Sequence, residues 1–229
     1  SKGFYDTLDK KMDTWGTDET GSFYLPQKLE YGTYYLREVK APEGYLLNTE
    51  DIQFKVIAER DWENPLVVAC EDVPAMGKIH LKKTDKESEE ALAGAVFNVI
   101  AAENITTPDG TLQAAKAEVV TTLTTGSDGT ATSTALHFGK YKLVETKAPN
   151  GYVTSEKNWD VTLSYADQET EIVTKDVSVT NTPNEVKIKK VAADSQEALA
   201  GVEFQVWKKG TSAKDNLFDL YYADKPLFL

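Results

Sequence analysis

Sulfur and imidazole are scarce in this 229-residue chain, which has one cysteine, two histidines and two methionines. The lone thiol, Cys70, excludes an internal disulfide, so a covalent staple would have to come from other side chains. It sits on an apolar row and reads as a small core residue. His80 and His137 are too few for a metal site or a catalytic triad, and no cofactor is implied. Positive charge is short as well: 25 Lys and Arg face 37 Asp and Glu, for a net charge of −12 and a pI near 4.7. That balance argues against nucleic acid and against anionic membrane surfaces as partners. No apolar run approaches the roughly 20 residues that span a bilayer. The opening "SKGFYDTLDKK" does not read as a signal peptide, so targeting or anchoring signals are expected outside this stretch.

What the chain does have is a long internal repeat. "YYLREVKAPEGY" at 34–45 returns as "YKLVETKAPNGY" at 141–152, and Glu38 and Glu145 lie 107 residues apart (145 − 38). "IHLKKTDKESEEALAGAVFNV" at 79–99 returns at the same shift as "VKIKKVAADSQEALAGVEFQV" at 186–206. A weaker echo joins "VVACEDVP" at 67–74 with "VSVTNTP" at 177–183 and sets Asp72 opposite Asn181. A period of this length is a whole domain. One complete unit is expected from 77 to 184, with 1–76 the back part of a preceding unit and 185–229 the front part of a following one. The joints at Pro74–Gly77 and Thr182–Asn184 are short, which predicts a stiff stack.

Within the complete unit the apolar period is two. "KIHLKK", "AVFNVIAA", "AEVVTTLTT", "GKYKLVET", "NWDVTLSY" and "DVSVTNT" are short, β-branched segments separated by turn signals at 108–110, 126–129 and 149–151. No segment reads as an amphipathic helix. The fold class expected is all-β, as tandem immunoglobulin-like antiparallel β-sandwiches.

Strand alternation then singles out three polar positions, because residues i, i+2 and i+4 share a face. Ile79 and Leu81 are followed by Lys83, Tyr141 and Leu143 by Glu145, and Val177 and Val179 by Asn181. The part-units echo this with Glu38, Asp72 and Lys190. Any one of these alone reads as a strand end reaching water. The recurrence of all three types at matching positions points to something else, since an unpaired buried charge is costly. Desolvation favours a neutral amine and a protonated carboxyl. A neutral Lys83 amine could attack the Asn181 carboxamide while Glu145 shuttles protons, giving an isopeptide bond and ammonia. An aspartate acceptor such as Asp72 would release water. Folding would supply the effective concentration, on the order of 10⁵ to 10⁸ M for well-oriented groups.

The ordered motifs K-x-D, L-A-G-A-x-F, Y-x-L-x-E-x-x-A-P-x-G-Y and N-x-P resemble the B-type (Cna B-type), prealbumin-like domains of Gram-positive collagen adhesins and SpaA-type pilins. The resemblance implies a cross-link between Lys83 and Asn181 assisted by Glu145. It also implies that Glu38 and Asp72 are assistant and acceptor of the first unit, and that Lys190 is the nucleophile of the third, although "KVAAD" departs from K-x-D. The implied function is a structural stalk module on the cell surface, wall-anchored through segments outside this chain. Its chemistry would be single-turnover and on itself, so it is no enzyme. The chain shows no Y-P-K-N-like or L-P-x-T-G-like motif, which favours an adhesin stalk over a pilus shaft. The alternative is a ligand-binding module for a host protein or glycan, hinted at by the pairs Tyr34-Tyr35 and Tyr221-Tyr222. Head-to-tail self-association through the terminal part-units, joining Lys190 to Asp72, is a further expectation.

Overall fold

The computed structural model describes residues 14–25, 29–61 and 63–206. The chain divides into two compact units, Ser1–Asn184 and Glu185–Leu229. Among the described residues there is no helix, and eleven strands lie in the first unit.

Six of these strands are the segments picked out by alternation: β3 (Met76–Asp85), β4 (Val96–Ala101), β7 (Val119–Thr124), β9 (Gly139–Lys147), β10 (Asn158–Leu163) and β11 (Ile172–Asn181). Three very short ones escape a period-two reading because they hold only one turn of alternation: β5 (Ile105–Thr106), β6 (Leu112–Ala114) and β8 (Thr130–Thr132). A four-stranded sheet in the order β10-β9-β4-β7 and a three-stranded sheet in the order β11-β3-β8 share one core. Ile79, Leu81 and Val179 enter that core from the smaller sheet; Phe97, Val99, Tyr141, Leu143, Val161 and Leu163 enter from the larger.

Most ladders are antiparallel, but β3 and β11 pair in parallel over their full lengths, from Ile172↔Met76 to Asn181↔Asp85. The first and last strands of the sandwich therefore run side by side in the same direction. Their C-terminal ends, which carry Lys83 and Asn181, meet at one end of the sheet.

The repeat persists in the backbone. β1 (Gly32–Leu36) pairs with β2 (Ile52–Val56) from Gly32↔Val56, as β9 pairs with β10 from Leu163↔Gly139, which is the same pairing shifted by 107. Gly44 and Gly151 both have φ near +90°, the left-handed conformation that the A-P-x-G-Y turn requires of its glycine. In the second unit the turn after Lys190 copies the one after Lys83. Leu199 N–H donates to Lys190 C=O as Leu92 N–H donates to Lys83 C=O, both at 3.0 Å.

One expectation fails. Cys70 is exposed rather than buried. Among the described residues no strand pairs with residues 66–72, so the apolar row that contains Cys70 has no β3-like neighbour to cover it.

Candidate functional site

Within residues 77–184 the buried polar and charged side chains are Lys83, Asp85, Thr107, Thr125, Ser133, Glu145 and Asn181. Four are satisfied by turns and ladder ends. Ser133 Oγ accepts Ile79 N–H at 2.9 Å, and Thr125 Oγ1 donates to Leu92 C=O at 2.7 Å. Thr107 Oγ1 donates to Asp109, and Asp85 Oδ1 accepts Glu87 N–H and Ser88 N–H at 2.7 and 2.9 Å. The other three each keep one buried atom without a hydrogen-bond partner: Lys83 Nζ, Glu145 Oε1 and Asn181 Oδ1. Such atoms cost roughly 1–3 kcal/mol each, more when charged, so three within a single core are not a neutral feature.

Each comes from a different strand. Lys83 (0% exposed) stands on β3 directly after Ile79 and Leu81 on the inward face. Its backbone is gripped on both sides, with its N–H donating to Gly129 C=O at 2.7 Å and its C=O accepting Leu92 N–H. Glu145 (4%) comes from β9 in the opposite sheet, opposite Phe97 of β4. Asn181 (2%) ends β11, next to β3.

Glu145 and Asn181 are in contact. Asn181 Nδ2 donates to Glu145 Oε2 at 2.9 Å and to Val153 C=O at 2.7 Å, so both its hydrogens are engaged. Glu145 Oε2 also accepts Ser155 N–H at 2.6 Å. With Oε2 taken by these two donors, Oε1 is the free oxygen. Burial pushes the Lys83 amine down to about 8 from an ordinary 10.5, while the carboxylates of Glu145 and Asp85 pull it part of the way back. A substantial neutral fraction at mildly alkaline pH follows, which is what a nucleophilic amine needs.

The copy of the repeat before residue 77 holds a similar pair, Glu38 and Asp72. Glu38 accepts Asn48 N–H at 2.7 Å, ten residues on, as Glu145 accepts Ser155. Burial, the Asp72 charge and a hydrogen bond with Asp72 push the Glu38 carboxyl up against the lowering effect of Asn48. Asp72 Oδ1 is buried and unpartnered. Lys190, by contrast, lies exposed in the second unit beside exposed Val186 and Ile188, with no strand of the described residues beside it.

The residues missed by alternation are Val153 and Ser155, which act through backbone groups and so leave no mark on residue type. Asp85 and Tyr152 were visible only as letters of the K-x-D and G-Y motifs. Of the aromatic pairs, Tyr35 is exposed, Tyr34 is half-buried and stacked on Phe54 at 5.6 Å, and Tyr221-Tyr222 lie outside the described residues. Among the described residues no group of His, Cys, Asp and Glu could hold a metal ion. Nor is any helix there long and apolar enough to cross a membrane.

Comparison with known proteins agrees with this architecture. A curated relative, the trypsin-resistant surface T6 protein of Streptococcus pyogenes serotype M6, is 28% identical over 122 residues, 53% of this chain and 20% of its own length. The Bacillus anthracis TIE protein superposes with a TM-score of 0.54 at 23% identity, covering 78% of this chain and 30% of that one, and so shares the fold. BcpA, the major pilin subunit of Bacillus cereus, matches over 48% of this chain and 31% of its own, at 22% identity and a TM-score of 0.36. The chain thus spans a fifth to a third of the lengths of these proteins. The family model "SpaA: Prealbumin-like fold domain" matches residues 3–65 and 77–178. With more than half of its length inside that match and a two-sheet sandwich to go with it, the chain belongs to the SpaA prealbumin-like fold family.

Proposed function

We propose that residues 77–184 are one complete stalk module of a surface pilin or adhesin, locked by a Lys83–Asn181 isopeptide bond. The observation that carries this reading is that three side chains from three strands each keep a buried atom without a partner, Lys83 Nζ, Glu145 Oε1 and Asn181 Oδ1, with Glu145 hydrogen-bonded to Asn181 and its charge acting on the Lys83 amine. In the proposed reaction Lys83 gives a proton to Glu145 Oε1 and its neutral amine adds to Asn181 Cγ. The carboxyl of Glu145 first stabilises the developing oxyanion, then delivers its proton to Nδ2, which already faces Glu145 Oε2 and Val153 C=O, and takes up the second Nζ proton, ending protonated. The Cγ–Nδ2 bond breaks, the Nζ–Cγ amide remains, and ammonia leaves. No cofactor is consumed, and the module turns over once.

Residues 1–76 and 185–229 are, on this reading, parts of adjoining modules. The Glu38–Asp72 pair matches the assistant and acceptor positions of the complete module, and exposed Lys190 of a second copy is one candidate partner for Asp72. The relatives named as a surface protein and a pilin subunit support a cell-surface location for the protein that contains this module.

Intact-mass measurement tests the first claim. The wild-type chain is expected to be one ammonia lighter than its sequence, and Glu145→Ala to have the full mass; a wild-type chain at full mass overturns the proposal. Denaturing electrophoresis of the same samples tests the second, which requires a ladder of covalent multimers that Lys190→Ala abolishes, whereas a lone monomer band excludes it.

A further inference from the structure

The end of β3 carries a second buried carboxylate that the proposed condensation does not use. Asp85 is 4% exposed, lies two residues beyond Lys83 on the same face, and sits opposite Asn181 in the β3–β11 register. The next backbone N–H, that of Lys86, donates to Asn181 C=O at 3.0 Å. Besides the N–H groups of Glu87 and Ser88, the Asp85 carboxylate receives the hydroxyl of Tyr152. Tyr152 follows the left-handed Gly151 and forms an isolated bridge with Pro183. The residue after Tyr152, Val153, accepts Asn181 Nδ2 and donates its N–H to Thr182 C=O. Two residues further, Ser155 holds Glu145.

The chain contains an internal control for what this carboxylate is not needed for. At the shift of 107, Asp85 becomes Ala192. The turn there still forms: Ala192 N–H donates to Glu197 C=O at 2.9 Å as Asp85 N–H donates to Glu90 C=O at 2.9 Å, and Gln196 and Glu89 share φ near +60°. A carboxylate is therefore not required to build the turn after the lysine strand. Over alanine the Asp85 side chain adds the two backbone N–H bonds within its own turn, a negative charge near Lys83 and, as its one link to another segment, the contact with Tyr152.

We propose that Asp85 and Tyr152 form a latch that positions Lys83 for condensation with Asn181, by tying together the end of β3, the loop after β9 and the end of β11. This rests on the condensation proposed above. Asp85 touches none of the reacting atoms; it acts by holding the strand end that carries Lys83 and by placing a negative charge near the amine. Two carboxylates act on the Lys83 amine, Glu145 from β9 and Asp85 from its own strand, while the neutral Asn181 of β11 pairs with Asp85 in the ladder.

Two variants separate the two effects. Tyr152→Phe removes the latch and keeps the charge; Asp85→Asn removes the charge and weakens the latch, because a neutral amide accepts the Tyr152 hydroxyl less strongly than a carboxylate does. Each chain is produced by cell-free synthesis, and the ammonia lost is followed by intact mass from pH 5 to 9, with far-UV circular dichroism to confirm the sandwich. Condensation slowed on the order of tenfold to a hundredfold in both is expected. The rising limb of the pH profile is expected to move to lower pH in Asp85→Asn alone, since the amine beside a neutral amide gives up its proton more readily. Asp85→Glu should recover part of the rate. If both variants condense at the wild-type rate and pH while Glu145→Ala does not condense, the latch is wrong and the condensation stands. If the wild-type chain never loses ammonia, both fall.

Discussion

At the scale of the residue, the deciding quantity is the free energy of keeping a lysine amine out of water. The burial that would make Lys83 a nucleophile in the proposed condensation also makes its amine destabilising, and this has a measurable sign. In an Asn181→Ala chain, which lacks the acceptor, Lys83 remains buried with its amine near 8 in the folded state and at 10.5 when unfolded. Below about pH 8 both states carry the proton and the burial penalty stands in full. Between about 8 and 10.5 the unfolded chain binds a proton that the folded chain does not, so stability rises with pH. The expected gain by pH 10 is about 2–3 kcal/mol. Above pH 10 the trend reverses, because burial holds the Tyr141 phenol up at about 12 and only the unfolded chain ionises there. Urea titrations of Asn181→Ala with and without Lys83→Met check this: the rise between pH 8 and 10 should vanish in the double variant.

At the scale of the element, the site depends on how firmly the last turn of β3 is held. Gly129 is the position on which that grip rests. It has φ +72°, its carbonyl receives Lys83 N–H, and a Cβ placed on it would stand 2.5 Å from Lys83 C=O and 3.0 Å from Leu92 N. Those neighbours are backbone, so neither can swing aside. Gly129→Ala should destabilise the sandwich by roughly 2–4 kcal/mol, combining left-handed strain with loss of the β3–β8 approach. Thermal melts would register this, and the same variant should retain more uncondensed chain by mass. Gly110 and Gly151 also have positive φ but open space around the Cβ position, so alanine there should cost only the conformational strain.

At the scale of the whole molecule, the parallel pairing of β3 and β11 decides how a pull on the chain is carried. Tension entering at Met76 and leaving beyond Asn181 loads the two strands in shear along their length. A Lys83–Asn181 bond at their shared end would pass the load directly from one strand to the other and leave residues 84–180 unloaded. The closed loop spans 98 residues (181 − 83), and by analogy with a disulfide of that span it would raise the unfolded state by about 4–5 kcal/mol. Single-molecule stretching should show no full unfolding step for this module in the wild-type chain. Glu145→Ala should add a step lengthening the chain by about 330 Å, from roughly 3.3–3.6 Å per residue. A step of that length in the wild-type chain as well would exclude the tie.

The six long strands, their inward rows and the candidacy of Lys83, Glu145 and Asn181 were all legible in the linear sequence, because a period of two and a repeat of 107 are properties of order along the chain. The sandwich and its two shared faces follow from that alternation, since an apolar row must be covered. Three things were decided only by the tertiary arrangement. The parallel register of β3 and β11 depends on which strands become neighbours after folding, and alternation is blind to direction. The roles of Val153 and Ser155 belong to backbone groups that any residue carries. Cys70 and Lys190 lie on rows patterned like the buried ones, yet both are exposed, because a pattern states which face would be buried and only a neighbouring strand can bury it.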